Sequence, residues 1–261
     1  MQNIMQHFRK DEHPFIERVI EWKKEVEDRY APKLTAFLDP RELHIVQSIV
    51  GNHDGLSVYG EGMFQEAERK RVYIAPSYFI PTMEDYDITV LQLTFPSKFV
   101  QLKHPDVLGA LLSLGIDRKH FGDIRIDEET IQFACTSEIA SYVKTNLKKV
   151  GKIHVRIQEL ENMDQLIPPQ GEWKEQRLTV SSMRLDAVLS SSFNLSRQKS
   201  QNLIRGSKVK VNFALCEETA FELQEGDLVS CRGYGRFKID GIEGRTKKEK
   251  IRLVISQIER K

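Results

Sequence analysis

Between residues 86 and 160 the hydrophobic period switches between about two and about 3.6, and the order of the switches leaves few folds open. "YDITVLQLTFP" alternates as a strand does. "HPDVLGALLSLGI" has the apolar spacing of a helix, opened by Pro105 and closed near Gly115. "FGDIRIDEETIQFACT" reads as two strands around the acidic turn Asp127-Glu128-Glu129. "SEIASYVKTNL" is a helix capped by Thr136 or Ser137. "KIHVRIQEL" is a last strand on which Ile153, Val155 and Ile157 alternate. The order is β-α-β-β-α-β, a split βαβ arrangement.

On this pattern residues 81–165 are expected to form a ferredoxin-like or RRM-like domain. That fold hosts many functions and does not by itself assign RNA binding. Its RNA-binding versions stack bases on exposed sheet aromatics. Phe133 shares a face with Ile131 and Cys135, so it is expected in the core rather than as a platform. Residues 1–80 read as a small α/β unit. Phe15, Ile16, Val19, Ile20 and Trp22 mark one face of a helix, and "LTAFL" follows as a strand. Asp39 is the N-cap and Pro40 the first residue of a second helix that stops at Gly51. "LSVYG" and "RVYIAP" are further strands. Pro168, Pro169 and Gly171 predict a linker over 166–180, and the last unit spans 181–261. The expected class is α+β, in three parts.

No apolar run approaches the roughly 18–20 residues of a membrane span, and "VLGALLSLGI" is the longest. "MQNIMQHFRKDEHPF" lacks an apolar stretch with a cleavage site. The chain is therefore expected in the cytoplasm, away from membranes. Cys135, Cys216 and Cys231 are scattered, which predicts reduced core thiols and no metal site. Gly60-x-Gly62 and Gly233-x-Gly235 are fragments of glycine loops without the further residues a nucleotide site needs, so no cofactor is expected.

Net charge is only +1, but it is unevenly spread. From Arg177 onward lie 17 of the 39 Lys/Arg and 10 of the 38 Asp/Glu, a local net of +7. The preceding residues hold 22 and 28, a net of −6. One basic end on a near-neutral chain points to a polyanionic partner.

The stretch "MRLDAVLSSSFNLSRQKSQNLIRGSKVKVN", residues 183–212, concentrates this charge. Leu185, Val188 and Leu189 form the apolar stripe of a first helix, flanked by Arg184 and Asp186. Ser196 caps a second helix that Gly206 ends. Ser200, Leu203 and Ile204 mark its inner face, while Arg197, Gln201 and Arg205 are four apart on an outer stripe. In "KVKVN", Val209 and Val211 face one way and Lys208, Lys210 and Asn212 the other. Cations on a helix stripe and on a strand face suit a folded phosphate backbone. In "RGYGRF", Tyr234, Arg236 and Phe237 stay open between an RNA contact and a hairpin core. "GRTKKEKIRL" reads as a solvated turn before the strand "IRLVISQIER" or as an extension of the RNA footprint.

Residues 181–235 resemble the S4 domain, an RNA-binding module, in "RLD", Leu189, "SR", Ser200, "LI", Gly206, "VKVN" and "GD". The resemblance implies an RNA surface carried by Arg184, Asp186, Ser196, Arg197, Lys199, Lys208, Lys210 and Asn212, and Ser200, Gln201 and Arg205 on the second helix are added as candidate RNA-binding residues. Asp186 would orient an arginine or a backbone donor. Phe193-Asn194 would make the bend where many S4 domains have glycine. The whole layout, ending in "RGYGRFKIDG", resembles the YlmH-type proteins of Gram-positive bacteria, encoded beside cell-division genes. That resemblance implies action on the large ribosomal subunit when peptidyl-tRNA is stranded there. With no glycine-rich cofactor loop and little room for a catalytic domain, the chain is expected to be a non-enzymatic, monomeric binder of rRNA and tRNA. Two other classes stay open: an S4-containing pseudouridine synthase or methyltransferase, and a division-linked protein-interaction factor.

Overall fold

The computed structural model describes residues 5, 6, 8–51, 55–169, 171 and 173–259. The chain divides into two compact units, Met1–Pro169 and Gln170–Lys261.

In the first unit, helix α1 (His13–Arg29) buries Ile16, Val19 and Val26. It ends at Tyr30, whose φ is 52°. Strand β1 (Lys33–Leu38) leads to helix α2 (Pro40–Val50). The Asp39 carboxylate accepts from the Arg41 and Glu42 amides at 2.9 Å, and the Glu42 carboxylate accepts from the Asp39 amide at 2.8 Å. This reciprocal box fixes the helix start that Asp39-Pro40 predicts. Strands β2 (Leu56–Glu61) and β3 (Lys70–Pro76) complete an antiparallel sheet of order β1-β3-β2.

The same unit continues with β4 (Ile88–Thr94), α3 (His104–Leu112), β5 (Phe121–Ile126), β6 (Thr130–Thr136) and α4 (Ser137–Asn146). A two-residue pair, β7 (Lys149–Val150) and β8 (Ile153–His154), precedes β9 (Arg156–Glu159). The sheet order is β5-β6-β4-β9 with antiparallel neighbours, the split βαβ arrangement read from the sequence. "KIHVRIQEL" is not one strand. Its first half folds back on Lys149–Val150, and only Arg156–Glu159 joins the sheet. Phe133 is fully buried and meets Phe121 edge-on at 6.5 Å, in the core beneath the helices.

The opposite face of this sheet is also covered. Val90 and Ala134 share a buried cluster with Phe37, Phe64, Ala67 and Leu160. A Cβ on Gly122 would stand 2.7 Å from the Phe37 ring and 2.9 Å from the Ala134 methyl, so only glycine fits there. Arg69 is 7% exposed and donates to the carbonyls of Phe121 at 3.2 Å and Phe37 at 2.9 Å. Gln132, 1% exposed, donates to Gln92 Oε1 at 3.0 Å and the Gln165 carbonyl at 2.9 Å. It accepts from the Ile167 amide at 2.8 Å. Phe37, Phe64, Ala67 and Arg69, with Leu160, Gln165 and Ile167, thus close the face on which an RRM displays its stacking aromatics.

The second unit opens with β10 (Lys174–Val180), which corrects the expected linker over 166–180. Positions 170 and 172 of that stretch lie outside the described residues. Strand β10 pairs with β15 (Ile251–Glu259) from Lys174↔Gln257 to Val180↔Ile251. Its sequence, "KEQRLTV", turns Gln176, Leu178 and Val180 inward and exposes the alternate residues. Its charged outer face and the preceding prolines hide it in the sequence. Helices α5 (Leu185–Ser192) and α6 (Arg197–Arg205) follow. Strands β11 (Val209–Val211), β12 (Ala214–Leu215), β13 (Leu228–Cys231) and β14 (Gly235–Arg245) complete a sheet of order β10-β15-β14-β13-β11-β12. Cys135, Cys216 and Cys231 are buried cysteines outside any disulfide, and burial pushes Cys135 up to about 12 and Cys231 to about 11.

Replacing Gln132 with alanine removes the partners of a buried amide and a carbonyl. The expected loss is about 1–3 kcal/mol. Urea unfolding of the full chain checks it, and an unchanged midpoint would show that the covered face does not depend on this side chain.

Candidate nucleic-acid interface

Helix α5 starts against a loop of its own unit. The Leu185 amide donates to the Phe221 carbonyl at 2.8 Å and the Asp186 amide to the Thr219 carbonyl at 3.2 Å. The carboxylate of Asp186 sits in the first turn, where a helix favours negative charge. The bend after α5 is made by Asn194 at φ 50°, a residue type that tolerates the left-handed region. Ser190 Oγ braces it with a 2.6 Å hydrogen bond to the Leu195 carbonyl. Ser196 then caps α6, its Oγ accepting from the Lys199 amide at 3.2 Å.

These two helix starts meet at Asp186, which is fully buried. Arg184 Nε and Nη2 each donate to its carboxylate at 3.2 Å. Arg197 Nε and Nη2 donate at 3.2 and 3.1 Å, and Gln201 Nε2 at 2.8 Å. Burial pushes the carboxyl up. The hydrogen bonds from Arg184, Gln201 and Arg197, with the Arg197 charge, outweigh it and hold the group well below the usual carboxylate range. The arginine side chains remain 39% and 48% exposed. Each guanidinium turns one edge to Asp186 and keeps other donors for a second acceptor.

Other sequence-predicted residues divide into two groups. Lys199, Arg205, Lys208 and Lys210 are exposed cations, and Ser196 is exposed. Lys199 Nζ lies 5.5 Å from the centre of the Tyr234 ring, which packs on Phe193 at 5.8 Å. Three expectations need correction. Ser200 is fully buried and its Oγ donates to the Ser196 carbonyl at 3.3 Å, so small size against α5 is its role. Asn212 does not continue the outer face of the strand. At φ 49° it turns into the hairpin, donates to Asp227 Oδ1 at 2.8 Å and accepts from the Leu228 amide at 2.9 Å. The stripe Arg197–Gln201–Arg205 is not uniformly free, because its first two members bind Asp186. Gly206 stands at φ −86°, and Ser207 takes the left-handed turn at φ 55°.

In "RGYGRF", Phe237 is core and Arg236 stacks 5.7 Å from the Trp173 ring. Trp173 escaped sequence reasoning because it lies in the stretch read as linker. Among the described residues no group of three His, Cys, Asp or Glu could hold a metal, and no helix is long and apolar enough to cross a membrane.

Three family models match successive segments. They are "YlmH, N-terminal" over residues 11–79, "Putative RNA-binding domain in YlmH" over 81–164 and "S4 domain" over 183–229. A Bacillus subtilis (strain 168) protein, "Ribosome-associated protein quality control protein P2", is 40% identical over 259 residues, covering 98% of this chain and 99% of its own. The chain belongs to the YlmH family. A solved structure of "Cell division protein ylmH from Streptococcus pneumoniae" superposes with a TM-score of 0.53 at 34% identity. It covers 62% of this chain and 98% of that one. For this YlmH-family chain, the S4 and RNA-binding-domain matches support an RNA-binding role.

Arg197→Ala leaves Asp186 buried with one cation fewer. With half of the arginine side chain in solvent, the expected loss of stability is about 1–2 kcal/mol. Arg197→Lys recovers charge but not the two-toothed contact and restores only part. A melting temperature equal to wild type in Arg197→Ala would show that the pair contributes no stability.

Asp186 also sets an acid limb. Its folded carboxyl titrates below the ordinary 3.8, so its stabilisation is complete above that value and fades as pH falls through the folded value. Asp186→Asn should flatten the loss of stability below about pH 4 while lowering stability at neutral pH. Unfolding midpoints measured against pH read both effects.

Proposed function

We propose that this chain is a non-enzymatic, monomeric RNA-binding protein that uses its S4 unit on structured rRNA and tRNA in the cytoplasm. Its place of action is the large ribosomal subunit carrying stranded peptidyl-tRNA. The observation that carries the reading is the Asp186 clasp, which presents two half-exposed guanidiniums at two helix starts. Backbone donors and guanidinium edges at one place favour phosphate. Exposed Lys199, Arg205, Lys208 and Lys210 extend the cationic face. The name of the Bacillus subtilis relative, a ribosome-associated quality control protein, supports the ribosomal setting.

The test is sedimentation of the full chain with purified ribosomal subunits. Large subunits bearing peptidyl-tRNA should carry more protein than empty ones. Affinity should fall steeply with salt, the logarithmic slope steepening by about 0.7–0.9 per phosphate contacted. Lys208→Ala with Lys210→Ala should make that slope shallower by up to about two contacts. Binding that ignores salt, or equal loading of small subunits, would overturn the reading. So would methyl transfer or pseudouridine formation by the pure protein.

A further inference from the structure

The hairpin between β11 and β12 has the shortest of loops. Val211 pairs with Ala214, leaving Asn212 and Phe213 as its two turn residues. Their φ angles are 49° and 67°. Two positive φ values are the mark of a type I′ turn, whose favoured sequence is Asn-Gly. Asn212 satisfies the first position. Phe213 does not satisfy the second, because a bulky side chain in the left-handed region is strained. Glycine would close this turn without strain.

The turn is held in place by the residue before Phe213. Asn212 is clasped on three sides, by Asp227 Oδ1 and by the amide and carbonyl of Leu228, at 2.8–2.9 Å. Val209 and Val211 fill the core beneath. Phe213 stands at the tip, 39% exposed, and Leu215 is 54% exposed beside it. Lys208 and Lys210 are exposed along the same hairpin, and Arg232, whose amide donates to the Lys208 carbonyl at 2.8 Å, is exposed next to it. The nearby Glu217 is occupied by the Ser207 hydroxyl. Strain kept at a rigid, exposed point is a recurrent sign of function. An exposed aromatic at the tip of a hairpin that also exposes lysines suits a nucleotide, whose base stacks while its phosphates meet the lysines. A protein partner would have to answer Lys208, Lys210 and Arg232 with acids.

We propose that Phe213 is a stacking platform for an unpaired base of the RNA bound by the S4 unit. The proposal rests on the RNA-binding reading above. It adds to that reading a preference for looped or bulged RNA over plain duplex, which phosphate contacts alone do not provide.

The experiment compares full-length wild type, Phe213→Gly, Phe213→Leu and Phe213→Trp. The probes are an RNA stem closed by an unpaired loop, the same stem as a blunt duplex, and purified large ribosomal subunits. Wild type should prefer the looped stem. Phe213→Gly should keep or raise the melting temperature, since glycine fits the turn, yet bind the looped stem about 5- to 150-fold more weakly. Its salt slope should not change, because no phosphate contact is lost. Phe213→Leu should lose the preference as well, and Phe213→Trp should keep it. Equal binding of the loop by wild type and Phe213→Gly would overturn the stacking site while leaving the RNA-binding reading intact. Full retention by Phe213→Leu would overturn it too, as would a loss confined to intact subunits, which would mark a ribosomal-protein contact. No RNA binding by wild type would overturn both.

Discussion

A carboxylate taken out of water has to be answered by donors, and the second unit is arranged around one such answer. Asp186 is fully buried and receives Arg184, Arg197 and Gln201. Two of these lie on α6 and one just before α5, so the contact that charges the surface also packs the helices together. Only arginine could do this on both sides at once. Its planar fork grips a carboxylate with two N–H groups and leaves others facing out. A lysine would spend its single charge centre on the clasp. The cluster carries two cations and one anion, and its surplus positive charge lies at the surface. Removing the carboxylate would release the guanidiniums as flexible side chains, and any phosphate contact made by them would then carry an ordering cost.

The second half of the first unit has a fold often used for RNA recognition, but its sheet is closed on both faces. One side carries α3 and α4 over Phe121 and Phe133. The other carries Phe37, Phe64 and Leu160, with Gln132 hydrogen-bonded to the chain at 165 and 167. The sheet therefore serves as a joint between the first 80 residues and the middle domain. Any RNA contact of that domain has to use helices, loops or edges.

Much of this was legible in the sequence, and the exceptions share a cause. The split βαβ order was readable because each element has its own period. Ser196 was readable as a cap and Asn194 as a bend, because both act through nearby backbone. Asp186 was readable as orienting an arginine, with Arg197 a candidate, but not as gathering Arg184 and Gln201 as well. The spacing Arg197–Gln201–Arg205 marks a helix face without saying what lies across from it, and only the tertiary fold puts Asp186 there. Asn212 failed for the same reason: period two predicts a strand face, while the clasp with Asp227 comes from 15 residues away. Strand β10 was missed because its charged outer positions look like a linker, and its apolar positions make sense only against β15.

Strand order has a further consequence for how the protein comes into being. Strand β15 is made after the other five strands of its sheet, yet it lies between β10 and β14. Until residues 251–259 emerge, β10 has no partner and the long β14 shows an open edge. A nascent chain can pair β11 to β14 but cannot complete this unit before β15 emerges. A chain cut short before β15 would display bare strand edges in place of a finished sheet, a surface suited to recognition by chaperones and proteases. The fold thus makes the S4-containing unit a late product of its own synthesis, complete only once the strand that closes the sheet has been translated.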